Sequence, residues 1–170
     1  FARNAGALAS SGDILIFLDA DVVLSKDFLR KNVYEFLSRR LDVSGCYVKP
    51  ISKNLYDKFI MHGVVNSWLY FFEDIWPNSF GFGIFARRKV HEEINGFDGT
   101  ITFAEDSDYV NRAARKGFRF GMLKGRRIQF SMRRFEREGR LKMTLKYVLL
   151  NLRRFRGEIR DDVNYNFGEF

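Results

Sequence analysis

Asp19 and Asp21 follow directly on the apolar run Ile14-Leu15-Ile16-Phe17-Leu18, and they are the first residues whose types and spacing could do chemistry. A short branched and aromatic run bounded by Gly12-Asp13 predicts a strand buried on both faces, as in the parallel sheet of an α/β protein. Ligands in such sheets bind beyond the carboxyl ends of the strands. Residues i and i+2 of a strand point the same way, so the two carboxylates can aim hard oxygen ligands at one point. Two carboxylates with a phosphate are a usual way to hold Mg²⁺ or Mn²⁺, so the pair predicts a metal–diphosphate site.

The bare D-x-D pattern means little by itself, because Asp106-Ser107-Asp108 repeats it. That second copy lies in an amphipathic helical pattern, Glu105 to Lys116, closed by Gly117. Glu105, Asp106 and Asp108 there fall in a first turn, where the helix dipole and free N–H groups favour carboxylates. By themselves they read as capping acids before they read as catalytic ones. His62 and His91 sit on helical patterns without a partner at ligand spacing, and Cys46 reads as a small buried strand residue.

The elements that must position these groups are legible in outline. A helix-like piece, Ala2 to Ser11, precedes the Asp19 strand. An α/β sheet seldom starts that way, which predicts a fragment whose preceding strands are missing. Ser25 reads as the N-cap of a helix to Arg39, with Phe28, Leu29, Val33, Phe36 and Leu37 as its apolar stripe. A strand is predicted from Val43 to Lys49, then a mostly helical stretch from Lys53 to Asp74. That stretch ends in the aromatic cluster Trp68, Tyr70, Phe71, Phe72 and Trp76 and is broken by Pro77-Asn78. The cluster suits stacking on a ligand ring, a membrane surface or a core.

Gly81 to Ala86 is a glycine-containing strand, a sign of close approach by a ligand or another backbone. A short helix from Arg88 to Asn95 ends at Gly96, and strands are predicted at Phe118 to Leu123 and Arg127 to Met132. From Phe135 to Arg156, Leu141, Leu145, Val148, Leu149, Leu152 and Phe155 recur at helical spacing until Gly157, with an irregular stretch to Phe170. The expected division is 1–132 as the α/β domain and 133–170 as a basic helical tail.

The 170 residues suffice for one real core, and 46% apolar with 16% aromatic content excludes disorder. One cysteine excludes an internal disulfide and fits a reducing compartment. No stretch reaches the ~18 apolar residues of a membrane span, and no basic-then-apolar signal peptide is visible. The charge is uneven. Between Arg133 and Arg160 ten basic residues face three acids, which accounts for +7 of the chain's net +8. An apolar stripe with basic flanks has the chemistry of an interfacial anchor on an anionic surface, or of a helix packed on its domain by that stripe. A nucleic-acid module is the competing use of such a face, but no docking motif is present and the acids near 19 and 105 repel phosphate.

Five ordered pieces together resemble a family 2 glycosyltransferase of the GT-A fold. They are Ala2-Arg3-Asn4-x-Gly6, Ala9-Ser10-Ser11-Gly12-Asp13, Phe17-Leu18-Asp19-Ala20-Asp21, Gly81 to Arg88 with Ile94-Asn95-Gly96-Phe97-Asp98, and Glu105-Asp106-Ser107-Asp108-Tyr109 with Arg112 and Gly117. The resemblance implies a mixed, mainly parallel sheet flanked by helices. It implies an inverting transfer of sugar from a nucleotide-diphospho-sugar to a glycan or lipid-linked acceptor, with Mn²⁺ or Mg²⁺ held by Asp19 and Asp21. Asp106 resembles the general base; Arg3, Asn4, Gly83, Glu105 and Asp108 fall where donor or acceptor is met. Peripheral contact of 135–156 with the cytoplasmic membrane face and a homo-oligomer are further expectations. A catalytically silent interaction fragment is the alternative. The chain departs from the pattern in three places: the strand and early acidic segment that the family uses on the nucleotide do not appear in it, Asn95 replaces a glycine of the turn, and Ser131-Met132-Arg133-Arg134-Phe135 stands where a His or Q-x-x-R-W element is common.

Overall fold

Alternation along the first strand sets the layers. In β1 (Ile14–Leu18), Leu15 and Phe17 are buried in one apolar cluster while Ile14 and Ile16 pack against another. The computed structural model describes residues 2–101 and 104–155, with backbone alone for 150–155; the expected stop at Gly157 and the stretch 158–170 lie outside the described residues. The first cluster lies under α1 (Ala2–Ala9), α5 (Arg88–Glu93) and α6 (Glu105–Arg115), through Ala7, Val90, Tyr109, Val110 and Ala113. The second lies under α2 (Phe28–Ser38), through Phe28 and Phe36. The remaining strands are β2 (Val22–Val23), β3 (Val43–Ile51), β4 (Gly83–Arg87) and β5 (Phe120–Ser131). They form one five-stranded sheet in the order β1-β4-β3-β5-β2.

The α/β class with flanking helices is as the sequence implies, but its parallel character is smaller than expected. Among the described residues only β3 and β5 pair parallel, while β1–β4, β3–β4 and β2–β5 are antiparallel. Helices on both faces bury a strand whichever way it runs, so a continuous apolar run carries no information on direction. The two strands expected between residues 118 and 132 are one, β5. The register with β3 moves from Cys46↔Leu123 to Val48↔Ile128, so β5 carries extra residues in a bulge. Ser25 does not cap α2; its carbonyl accepts from Phe28 N, and the N-cap position is Asp27.

That bulge is held by α2. Glu35 Oε2 accepts from the amides of Lys124 (2.9 Å) and Gly125 (2.6 Å). The Asn32 carboxamide, fully buried, exchanges two hydrogen bonds with the Arg126 backbone, and Asp27 takes the Arg126 guanidinium. On β3, Asn66 answers Val48 N–H and C=O in the same reciprocal way. Bulges add twist, and here the twist is required. Four residue steps from Leu18 to Val22 reach at most about 14 Å, while four strand spacings in a flat sheet amount to about 19 Å. The sheet must therefore curl for β2 to pair with β5. The Phe82 ring, just before β4, stacks on Phe130 of β5 at 4.4 Å and so links the two strands across β3.

The helical stretch after β3 is broken up, as α3 (Leu55–Lys58), a π-helical segment Phe59–Val65 and α4 (Asn66–Phe71). The tail is two helices, α7 (Arg133–Glu138) and α8 (Arg140–Phe155), divided at Gly139 with φ +91°. No described helix is long and apolar enough to cross a membrane. Glu35→Ala removes the acceptor of two bulge amides and is expected to cost about 2 kcal/mol. Faster hydrogen exchange at Lys124 and Gly125, with a lower urea midpoint, would show it; unchanged exchange there would refute the bulge's dependence on α2.

Candidate active site

Asp19 leaves β1 on the side of Leu15 and Phe17, toward α1 and α6. Its Oδ1 accepts from Arg3 Nη2 at 2.7 Å, and the other terminal nitrogen of Arg3 reaches Glu105 Oε1 at 2.6 Å. The guanidinium also lies 5.2 Å from the centre of the Phe97 ring, a cation–π distance. One arginine of α1 thus ties the end of β1 to the first turn of α6.

The point on which these groups converge is the α-carbon of Gly81. A Cβ there would lie 2.7 Å from Arg3 Nη2, 3.3 Å from Asp19 Oδ2 and 3.4 Å from Asp106 Oδ2. Asp19 and Asp106 therefore face the same small space, one from a strand tip and one from a helix start. Gly83 is not that place: a Cβ on it would meet Ile128 and Cys46 in the core, so its lack of a side chain serves packing. Spacing alone could not choose between two glycines in Gly81-Phe82-Gly83; the residue before the strand, not the one inside it, approaches the acids.

Ala20 and Asp21 form a turn, so strand alternation does not extend to them, and Asp21 is exposed. Its charge still acts on Asp19. Burial lifts the Asp19 carboxyl above the usual carboxylate range, the Arg3 hydrogen bond pulls it down, and the Asp21 and Glu105 charges lift it again. For Arg3, burial works against the charge, but hydrogen bonds to Asp19 and Glu105 keep its pKa above the usual arginine value. At Asp19 one guanidinium thus does not fully offset burial, with the neighbouring acids adding to it.

The start of α6 is fixed from several directions. Ala104 sits at its N-cap in left-handed geometry, φ +58° and ψ +34°, a strained conformation for alanine. The Asp106 Oδ1 accepts from Ser107 N at 2.7 Å. The Ser107 hydroxyl meets the Asn78 carboxamide oxygen and the Ser79 carbonyl, and Asn111 Nδ2 donates to Pro77 O at 2.6 Å. This strap holds 77–79, the lead-in to Gly81, against α6. The sequence reading missed it, although polar residues on the inner face of a helix are its signal.

Two expected ligand-facing residues have scaffold partners instead. The Asn4 carboxamide donates to Phe97 O (2.8 Å) and accepts from Phe97 N (2.9 Å). It pins the turn at Asn95 (φ +59°) and Gly96 (φ +67°), where a Cβ on Gly96 would lie 2.7 Å from Asn4 Oδ1. Asp108 holds Arg112 at 2.6 Å, and Arg112 donates to the carbonyls of Ile94 and Gly96. His91 packs among Phe17, Phe97 and Tyr109, with Nδ1 3.1 Å from the Tyr109 hydroxyl, and His62 lies beside Arg127. Tyr70 and Phe71 of the aromatic segment are exposed, while Leu69 is buried.

Among the described residues no group of three or more His, Cys, Asp or Glu side chains is arranged to hold a metal. A cation here would have Asp19 and Asp21 as hard oxygen donors beside ligand oxygens, the mode in which Mg²⁺ is usually held. The point beside Gly81 is filled by the Arg3 guanidinium, 2.7 Å from where a Cβ would stand, so the carboxylate oxygens of Asp19 and Asp106 there already border a positive group.

Residues 14–157 match the model of glycosyl transferase family group 2. Among solved structures, the chain is similar to a mannosyltransferase, PcManGT, from Pyrobaculum calidifontis in complex with GDP-Man and Mn²⁺. The identity is 21% and the TM-score 0.54, over 76% of this chain and 34% of that one. It is also similar to TarS 1–349 of S. aureus, at 15% identity and TM-score 0.51, over 76% of this chain and 39% of that one. The chain therefore spans little more than a third of these neighbours. No curated protein matches its sequence. Asn4→Ala leaves the Phe97 backbone without partners, an expected loss of about 1–3 kcal/mol in chemical denaturation; an unchanged midpoint would contradict the scaffold role.

Proposed function

The chain belongs to glycosyl transferase family group 2, and from that premise we propose that it carries the metal, sugar and acceptor side of an inverting, cation-dependent transfer from a nucleotide-diphospho-sugar. The observation that carries the reading is the meeting of Asp19 and Asp106 beside Gly81. Asp19 and Asp21 would hold Mn²⁺ or Mg²⁺ on the diphosphate. When bound, the cation supplies Lewis-acid charge neutralisation for the departing nucleoside diphosphate. Asp106, poised over the same space from α6, takes the proton of the acceptor hydroxyl. Glu105 keeps Arg3 within reach of phosphate. A GDP-mannose complex with Mn²⁺ in a neighbour of the same fold supports this donor class.

The roles separate by substitution. Asp21→Ala is expected to abolish Mn²⁺-dependent binding of UDP- or GDP-sugars in calorimetric titration, and EDTA is expected to do the same to the unaltered protein. Asp106→Asn is expected to bind donor normally and lose at least about a hundredfold in transfer, the usual weight of a general base. Normal turnover by both variants would refute the assignments.

The tail suits an acceptor on a lipid surface. α8 docks through buried Met143, an Arg140–Asp57 ion pair at 2.8 Å and a Tyr56–Thr144 hydroxyl contact. Its Leu stripe is not the docking face: Leu141, Leu145 and Leu149 are 64, 53 and 57% exposed. Lys142 and Lys146 flank that stripe, giving an apolar face with cations on the same helix. We assign this face to the anionic cytoplasmic membrane surface. Binding to vesicles containing phosphatidylserine is expected, with Leu145→Glu abolishing it and each Lys→Gln weakening it about fivefold, the weight of one cation near an anionic leaflet. Equal sedimentation of Leu145→Glu and the parent chain would refute this placement.

A further inference from the structure

Arg3 occupies the acidic centre in a particular way. It takes only one oxygen of Asp19, Oδ1, while Oδ2 is turned toward Gly81 and Asp106. Its second terminal nitrogen is anchored on Glu105, and its face is supported by Phe97. Asp19 thus has a partner that can leave without being set adrift, because Glu105 and the aromatic ring still hold it. All of these side chains are partly exposed, so the Arg3–Asp19 contact is a modest one that a divalent charge can outcompete.

We infer that Arg3 is a built-in counter-ion of the site: a divalent cation displaces its guanidinium from Asp19, and Glu105 then retains it beside the space where the diphosphate enters. This rests on the proposed donor site and adds a coupling that the roles of the acids alone do not contain. Before the cation arrives, Arg3 keeps Asp19 and Glu105 from repelling one another, so the site is assembled while empty. After it arrives, the positive charge of Arg3 is free to pair with phosphate oxygens. The guanidinium then opposes the bare cation and favours the cation–nucleotide complex. Arg3 would make cation binding depend on nucleotide.

The test reads Mn²⁺ binding, not turnover. Free Mn²⁺ is followed by electron paramagnetic resonance during titration into the chain, without nucleotide and then with GDP. Without nucleotide, Arg3→Gln is expected to bind Mn²⁺ about two- to fivefold more tightly than the parent chain, the weight of a partly exposed ion pair. Arg3→Lys, which restores the charge, should return toward the parent affinity. With GDP present the order should invert, with Arg3→Gln the weaker. A residue that merely held α1 in place would give weaker binding in both variants.

A second measurement needs no substitution: saturating Mg²⁺ should speed exchange of the Arg3 guanidinium protons in the parent chain, because one carboxylate partner is lost. Equal or weaker Mn²⁺ binding by Arg3→Gln without nucleotide, or an unchanged guanidinium exchange rate, overturns the counter-ion role and leaves the donor reading standing. Absence of Mn²⁺ binding in parent and variants, with and without GDP, overturns both.

Discussion

Three residues must bridge the two edges of a five-stranded sheet. β1 and β2 are the outer strands, yet only Asp19, Ala20 and Asp21 separate them. That span is too short for a flat sheet, so the strands between must curl until the edges approach. The β5 bulge, wedged open by Asp27 at the N-cap of α2 and by Asn32 and Glu35 within it, supplies the added twist on one side. The Phe82–Phe130 stack links the chain entering β4 to β5. The acidic segment then lies across the mouth of the curl, against the chain entering β4 at Gly81. Its position is a consequence of chain length and strand spacing, with side-chain chemistry added at the end.

Charge decides what that mouth can do. Asp19, Asp21, Glu105 and Asp106 approach from two elements, and Arg3 answers two of them. Arginine suits the task because its fork serves two carboxylates at once while its face lies on a ring. The scaffold around it spends polar groups to hold position: Asn4 on Phe97, Arg112 on the 94–96 turn, Ser107 and Asn111 on the 77–79 strap. Few of these groups face the mouth. Most fix the backbone from which the acids project.

Much of this was legible in the residues. Apolar runs and glycine stops located β1, α2, β4, α5 and α6 to within a few residues, because periodicity reports burial directly. The ordered pieces around Asp19 and Asp106 resembled one enzyme family, and the family match agrees. Strand direction was not legible, since β4 is apolar on both faces whichever way it runs. Nor was the fusion of 118–123 with 127–132, because the polar bulge at Lys124–Arg127 looks like a turn until α2 is seen to hold it. Asn4 and Asp108 sat in the right motifs, but their partners, Phe97 and Arg112, lie across tertiary contacts that spacing does not encode. The Leu stripe of α8 was weighed as a docking face; Met143 and Arg140 dock it instead, from another side of the helix.

Asp19 and Asp106 converge beside Gly81, and the proposed cation belongs on the Asp19 side. A crystal structure of the chain with Mn²⁺ and GDP tests it most directly, through the anomalous signal of the metal. Mn²⁺ is expected at coordination distance, about 2.1 Å, from a carboxylate oxygen of Asp19 or Asp21, with the Asp106 carboxylate bordering the same cavity. Mn²⁺ bound elsewhere, or Asp106 turned away to the opposite side of the sheet from Asp19, would contradict it.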